Sequence, residues 1–369
     1  MILERTGWIS NVRVFALVGI VLLHVACVIS KDEFSTNPSL TWWIGNMYDS
    51  MVRCCVPLFV MITGALFLSR EIELKSFFRK RFIRILIPFL FWSFIYVSRE
   101  AFHLSWRKGT NFLTSFWHLD FIAKLFKGEI MFHFWYVYML IGLLLFIPIL
   151  NQWIRHSTEK EILYFLSIWL ITLIIRYNFI GNRLNESLKL IYFSGYIGYL
   201  VLGYYLANAE KYKISSLSSN RLFKKISDNK PLITSKFLTV ILILTAFLIT
   251  IFGTYYVSIR KGVICQDIFY EYLTINVLMA AIGIFLFIKS FNVNNKVFIR
   301  IINFLDKYSY GIYLIHVLVL IYLDRFGINA YFTFPLISIP SVTILCVGIS
   351  VGIIYIVNKL PYIGKYISG

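Results

Sequence analysis

Two ionisable residues in the first apolar stretch of the chain have types and a spacing that suit catalysis. Arg13 and His24 are 11 residues apart, which at about 100° per residue is about 20° more than three full helical turns. Both side chains therefore lie on one face of a helix, about 16 Å apart along its axis. A neutral imidazole can take a proton from a hydroxyl group while that hydroxyl attacks a thioester. The alternative is that Arg13 extends to a membrane interface and His24 only bonds a neighbouring helix.

Two further residues could shape the same end of the molecule as His24. Arg53 lies in the second apolar stretch at a similar depth, where it could neutralise an oxyanion or orient an anionic part of a substrate. Glu100 ends the third stretch beside Arg99, where it could support His24 or bind a sugar hydroxyl. The alternatives are an interfacial position for Arg53 and an interfacial ion pair for Glu100.

A run of basic residues that includes Arg79, a candidate for donor binding with Arg81 and Arg84, precedes the third apolar stretch. Arg81 and Arg84 are three residues apart, so they share a helix face. Paired guanidinium groups bind phosphates through fork-like hydrogen bonds, and the nucleotide part of an acyl-CoA carries such phosphates. An ordinary basic loop on the cytoplasmic side is the alternative.

Aromatic and histidine residues also occur together in two later stretches. Tyr310, Tyr313 and His316 fall at positions i, i+3 and i+6 of an apolar segment, which suggests a polar interior. Tyr310 and His316 are our candidates for donor binding. Hydrogen bonds between packed helices explain the same pattern equally well. His133 precedes Trp135 at the start of another apolar stretch, where an aromatic belt and a sugar-binding surface are the two interpretations.

The composition places the chain in a membrane. Of its 369 residues, 59% are hydrophobic and 15% are charged, against about 25% charged residues in a typical soluble protein. The net charge of +18 does not indicate nucleic-acid binding, because the basic residues lie in short segments between apolar runs. The five cysteines lack metal-ligand spacing, so no metal is expected.

A run of about 20 mostly apolar residues spans a bilayer, and ten such segments predict an all-α integral membrane bundle forming one domain over residues 1–369. Of the 36 lysines and arginines, 22 fall on one side of these segments and 12 on the other. This excess predicts that both termini are cytoplasmic. The predicted spans are 9–29, 45–68, 82–98, 132–150, 161–176, 189–207, 236–257, 268–289, 308–325 and 335–357.

The ordered set of motifs resembles the membrane acyltransferase-3 family, the integral O-acetyltransferases of bacterial surface glycans, and is similar to acetyltransferases of enterobacterial common antigen. Each piece is short, but together they cover nearly the whole chain in the family's order. The pieces are Arg13 with His24, Val56–Gly64, Arg79–Arg84 with Pro88, Phe134–Tyr136 with Pro148, Gly195–Tyr204, and Ser309–His316.

The resemblance implies a multi-pass protein of the bacterial inner membrane that moves an acyl group, in this family an acetyl group, from cytoplasmic acetyl-CoA or another acyl-CoA. The acceptor would be a hydroxyl of an extracytoplasmic glycan or lipid-linked sugar, with membrane lipid as the surroundings. By matching positions, His24 would be the essential histidine, Arg13 its partner, and Arg81 and Arg84 the arginine pair near the donor.

The chain departs from the family pattern at one position that matters for mechanism. Many members carry an acidic residue three positions before the first-helix arginine, where this chain has Ser10. A mechanism that needs a carboxylate beside Arg13 is therefore not predicted from the sequence.

A second class of function fits the same polar residues. Intramembrane arginine and histidine also line substrate paths in transporters, so a polysaccharide exporter of the cell envelope is the alternative hypothesis. Against it, corresponding halves of the chain lack the paired interrupted segments that are frequent in transporters. The sequence carries no signal for an oligomeric state.

Overall fold

The computed structural model describes residues 7–32, 38–176, 195–219, 236–261, 268–291 and 293–369, and all of the regular structure in these ranges is helical. A single 3₁₀ turn, Phe132–Phe134, precedes α7. The helices in chain order are α1 Gly7–Asp32, α2 Leu40–Val52, α3 Cys55–Phe67, α4 Leu74–Lys108, α5 Phe112–His118, α6 Phe121–Lys127, α7 Trp135–His156, α8 Glu159–Arg176, α9 Ile197–Ser219, α10 Lys236–Lys261, α11 Ile275–Lys289, α12 Lys296–Lys307, α13 Ser309–Arg325, α14 Pro335–Asn358 and α15 Gly364–Ile367.

Within the described residues, six helical stretches are long and apolar enough to cross a membrane, and the bent pair α12–α13 raises that number to seven. The predicted all-α membrane architecture is confirmed. The number of ten spans, the single domain and the cytoplasmic position of both termini stay predictions. The predicted span 268–289 is helical only over the 15 residues of α11, and residues 189–194 of another lie outside the described residues.

The surface of the bundle is apolar where a soluble protein would be polar. Many large apolar side chains are exposed on the long helices, and only lipid can cover them favourably. Examples from α4, α10 and α14 are Phe94, Leu244, Phe252, Ile344 and Ile356.

The first helix is the centre of the bundle. Of the residues in its most apolar window, 61% are buried, against 28% in α10, which lies at the periphery. The helices α2, α3, α11, α12, α13 and α14 all pack against α1. Arg13 and His24 are therefore carried into the interior by the one helix that the others surround.

The second predicted span is broken between α2 and α3, and Pro57 explains the break. A proline in a helix clashes with the carbonyl of the residue four positions earlier, which here is Arg53. Residues 53 and 54 form a turn that keeps right-handed helical backbone angles, and regular helix resumes at Cys55. Together the two helices still form one apolar stretch, Leu40–Phe67, that is long enough to cross a membrane.

Glycines allow α3 and α9 to touch backbone to backbone. A Cβ atom at Gly64 would overlap the backbone carbonyl of Leu200, and one at Gly203 would overlap the backbone of Met61. Small residues at such positions let membrane helices approach closely, because lipid supplies no hydrophobic drive for their association.

Replacing Gly203 with alanine should lower the midpoint of thermal unfolding, although alanine normally stabilises a helix by about 1 kcal/mol relative to glycine. The added methyl meets a backbone that cannot rotate away, and overpacking of this kind costs about 1–3 kcal/mol. Gly142→Ala in α7 is the matched control, since nothing lies within 4 Å of its added Cβ. Equal midpoints for the two variants in detergent solution would contradict the close contact.

Candidate active site

Four cationic side chains line one cavity of about 220 Å³, here called the arginine cavity. Arg13 comes from α1, Arg81 and Arg84 from α4, and Lys307 from the end of α12. Asp306 is the one carboxylate side chain among the lining residues. The excess of positive charge makes this cavity suited to a ligand with several negative charges.

Neighbouring aromatic residues hold the arginine cavity in shape. The guanidinium of Arg81 lies 4.5 Å above the ring of Phe67, a cation–π contact that fixes its plane. The hydroxyl of Tyr310 donates to the carbonyl oxygen of Ile85 at 2.9 Å, which ties α13 to α4 beside the arginine pair. The structure thus brings together Arg13, Arg81, Arg84 and Tyr310, four of the residues predicted from the sequence.

Asp306 supplies a carboxylate partner for Arg13 from a distant part of the chain. Its Oδ1 accepts a hydrogen bond from Arg13, and its Oδ2 accepts one from the hydroxyl of Ser10 at 2.8 Å. The sequence did not predict a carboxylate beside Arg13, and the structure supplies one. The family pattern concerns the position three residues before Arg13 in α1, whereas the carboxylate found here is 293 positions away in the chain.

Three histidines meet near the middle of the bundle. The ring of His24 lies 5.2 Å from that of His316 and 6.4 Å from that of His133, and the latter two rings are 5.0 Å apart, measured between centroids. They come from α1, α13 and the turn before α7. His133 and His316 are buried and His24 is half-buried. Ionisable residues inside a membrane bundle are costly, which marks this group as a functional candidate.

Two of these imidazoles each keep one nitrogen without a protein partner. Nδ1 of His316 lies 2.6 Å from the carbonyl oxygen of Tyr313, and Nε2 of His133 lies 3.4 Å from that of Leu314. A carbonyl only accepts, so each of these nitrogens carries the proton in the neutral ring. The other nitrogens, Nε2 of His316 and Nδ1 of His133, are buried without a partner and can accept a hydrogen bond from a hydroxyl group.

A tyrosine of α4 opens α13 next to His316. The hydroxyl of Tyr96 donates to the carbonyl of Leu314 at 3.1 Å and accepts from the amide of Leu318 at 2.9 Å. These are the two ends of one helical hydrogen bond, so the hydroxyl inserts into the helix one turn around His316. The insertion fixes His316 relative to α4.

His24 stands between two further cavities. A small one of about 20 Å³, the bridging cavity, is also lined by His133, Tyr136 and Tyr313. A larger one of about 210 Å³, the loop cavity, lies between α1, α13, α14 and residues 328–331 and is lined by His24, Asp324, Asn329 and Tyr331. In the loop cavity, the amide of Asn329 donates to Asp324 at 2.9 Å.

Shared residues connect the three cavities in series. Tyr136 and Tyr313 line both the arginine cavity and the bridging cavity, and His24 lines both the bridging cavity and the loop cavity. Each cavity therefore shares at least one lining side chain with the next. The bridging cavity has room for about one water molecule.

His316 lies beside His24, whereas the sequence pattern assigned it with Tyr310 to donor binding. The three residues Tyr310, Tyr313 and His316 advance about 9 Å along α13 and turn by about 120° over six positions. Tyr310 consequently reaches the arginine cavity, Tyr313 reaches two cavities, and His316 reaches the histidines.

Three other predicted residues lie away from these cavities. Arg53 donates to Asp49 at 2.5 Å and its guanidinium stacks 3.9 Å above the ring of Tyr270. This buried pair connects α2 to its neighbours and does not line the cavities around His24 described above. Arg79 is exposed on α4 and is not among the residues that line the arginine cavity.

Glu100 forms an ion pair with Lys124 at 2.7 Å, with nearly half of its side chain exposed. We expect Glu100→Gln to retain acyl transfer within about twofold, because an exposed ion pair contributes at most about 1 kcal/mol. Initial rates of label transfer by the purified variant would check this. A loss of more than tenfold would show that Glu100 acts on the acceptor.

The sequence pattern did not single out Asp306 or Asp324 as site residues. Both stand next to basic or polar residues at the ends of apolar segments, where ion pairs at the interface are ordinary. His133 carried one available signal: it is one of only six histidines in the chain and adjoins an apolar stretch.

Among the described residues, no three His, Cys, Asp or Glu side chains are arranged to hold a metal ion. The histidine group is thus not assigned a metal. Neutral imidazoles can act as bases and as hydrogen-bond acceptors.

The helical bundle, its apolar surface and the polar cavities in its interior define a multi-pass membrane protein with a buried active-site candidate. Residues 6–357 match the acyltransferase domain family, and the chain belongs to this acyltransferase 3 family. It is accordingly a membrane acyltransferase, and the resemblance seen in its motifs is confirmed. Comparison with curated proteins and with solved structures gives no match.

Proposed function

We propose that this acyltransferase moves an acetyl group from acetyl-CoA in the cytoplasm to a hydroxyl of a glycan or lipid-linked sugar outside the cell membrane. The observation that carries the proposal is the series of three cavities, with cationic residues at one end and His24 near the other. The bacterial inner membrane is the proposed location, because there the donor and the acceptor are on opposite sides.

The arginine cavity is the proposed donor site. Its four cationic side chains suit the phosphates of CoA, and the two guanidinium groups of Arg81 and Arg84 can each bind a phosphate in a fork. The excess of basic residues predicted for the cytoplasmic side supports a cytoplasmic position for this end of the bundle, where acyl-CoA is available.

The bridging cavity favours a short acyl group. Tyr136 and Tyr313 must move apart for a thioester to approach His24 from the arginine cavity, and the space beyond them is only about 20 Å³. An acetyl group needs a small displacement of these rings, whereas a long acyl chain needs a large one. This supports acetyl as the transferred group.

His24 is the proposed base. The acceptor hydroxyl gives its proton to His24 as its oxygen bonds to the thioester carbonyl carbon, and the carbon–sulfur bond then breaks. The CoA thiolate takes the proton from the imidazolium, so His24 returns to its neutral form. The partnerless nitrogens of His133 and His316 can accept hydrogen bonds from the incoming hydroxyl while it waits for the thioester.

The loop cavity is the proposed acceptor site. Asp324, Asn329 and Tyr331 offer hydrogen-bonding groups beside His24, and no cationic side chain is among its lining residues. This lining suits an uncharged sugar ring near the reacting hydroxyl, in contrast to the donor end. The exporter hypothesis lacks support, since a saccharide does not pass a space of about 20 Å³.

The proposal is tested with purified protein in lipid nanodiscs, labelled acetyl-CoA and envelope membranes from cells that lack this gene. We expect label to appear in a glycan or glycolipid, and mass analysis of the same fraction from normal cells to show an acetyl increment. Label that stays in CoA, together with identical masses from both kinds of cell, would disprove the proposal.

A further inference from the structure

Asp306 lines the arginine cavity but has no part in the proposed chemistry. It is in the last turn of α12, just before the 74° bend that leads into α13. Both of its carboxylate oxygens are engaged by α1, one by Arg13 and the other by Ser10. The carboxylate therefore joins the central helix to the bend at the edge of the arginine cavity.

Ser10 and Arg13 present one combined surface to this carboxylate. They are at positions i and i+3 of α1 and so lie on the same face. The guanidinium of Arg13 has five N–H groups in a rigid plane, and Asp306 contacts it at one Nη. Because Asp306 holds one end of the guanidinium, the plane of the group is fixed. The other N–H groups of Arg13 are left for a ligand in the arginine cavity, which Arg13 lines.

Charge alone does not explain a carboxylate at this place. The arginine cavity has four cationic side chains and suits an anionic ligand, which a nearby carboxylate repels. The carboxylate of Asp306 weakens the attraction between the cavity and an anionic ligand. It is useful there only if its effect on the orientation of Arg13 outweighs this loss of attraction. The two effects predict opposite results when Asp306 is neutralised.

We propose that Asp306 is a positioning residue, which fixes the guanidinium of Arg13 in the orientation that acyl transfer requires. This inference rests on the proposed function of the arginine cavity as the donor site. Arg13 contacts the donor, and Asp306 acts through Arg13.

The test moves the carboxylate from α12 to α1. In Asp306→Asn, the rate at saturating acetyl-CoA should fall about 10- to 100-fold, because a small misplacement of a binding group can reduce turnover by that much. Binding of CoA itself should be unchanged or tighter, since a negative charge has left the cavity. In Ser10→Asp, two carboxylates compete for Arg13, and the rate should also fall, by about tenfold.

The double variant Ser10→Asp/Asp306→Asn should recover. Asp at position 10 can pair with Arg13 at i+3, and the amide of Asn at position 306 can donate to it. We expect a rate within about threefold of the wild type, so that each change is harmful alone and the two together are not. Weaker CoA binding in Asp306→Asn, or a folded double variant no faster than the slower single variant, would overturn the inference.

Glu71→Gln is the matched control, because it also removes a carboxylate from an arginine but does so at an exposed ion pair with Arg155. If Asp306→Asn does not fold, Ser10→Ala replaces it, since the pair with Arg13 stays while one of the two bonds is lost. A rate about two- to fivefold lower is expected there, and an unchanged rate would overturn the inference. Failure of the wild type to transfer label would instead count against the proposed function.

Discussion

Replacing His24 with glutamine should lower the rate of acyl transfer by about 10²–10⁴-fold, the usual contribution of a general base. Glutamine keeps a polar side chain of similar length but cannot take the proton of the acceptor hydroxyl. His24 lies between the bridging cavity and the loop cavity. Among the described residues, it is the one side chain that lines both cavities. The measurement is the initial rate of label transfer from acetyl-CoA, with CoA binding determined in parallel.

CoA binding should be unaffected in His24→Gln, because His24 does not line the arginine cavity. His118→Gln is the matched control, since His118 is an exposed histidine on α5, and it should keep the wild-type rate. A His24→Gln protein that folds, binds CoA and transfers at more than a tenth of the normal rate would remove His24 as the base.

Replacing Arg81 and Arg84 together with glutamine should lower kcat/KM for acetyl-CoA by about 10²–10⁴-fold. A hydrogen bond to a charged group contributes about 1.5–3 kcal/mol, and each guanidinium is expected to hold a phosphate at the mouth of the arginine cavity. The loss should be mainly in KM, because the phosphates are remote from the thioester and their contacts persist throughout the reaction. Rates over a range of acetyl-CoA concentrations give this division.

Lys75→Gln/Lys80→Gln is the control for the loss of two positive charges. Both lysines are exposed on α4 and neither lines the arginine cavity, so KM should change less than threefold at physiological salt, where distant charges are screened. An equal rise in KM for the two double variants would mean that general attraction, and not a built phosphate site, holds the donor.

Several properties of the fold could be predicted because they depend on local sequence. Apolar runs of spanning length predicted the membrane helices, and α1, α10 and α14 agree with their predicted spans to within a few residues. Boundaries were less accurate where turns intervene. The run 45–68 is two helices separated at Arg53, since proline disrupts a helix without changing its apolar composition.

The candidate site was predicted in part for the same reason. The face shared by Arg13 and His24 follows from helical geometry, and so does the face shared by Arg81 and Arg84. Arg53 shows the limit of this approach. The sequence predicts a depth similar to that of His24, but the ion pair with Asp49 and the ring of Tyr270 direct the guanidinium of Arg53 elsewhere.

The sequence by itself determined that this is a basic, multi-pass helical protein whose first helix carries Arg13 and His24 on one face, because hydropathy and helical periodicity are local properties. Only the tertiary structure decided which residues stand opposite them: Asp306 beside Arg13, and His133 and His316 beside His24. Such contacts join residues that are far apart in the chain, and they depend on how the helices turn about their axes when they pack. No spacing along a single segment contains that information.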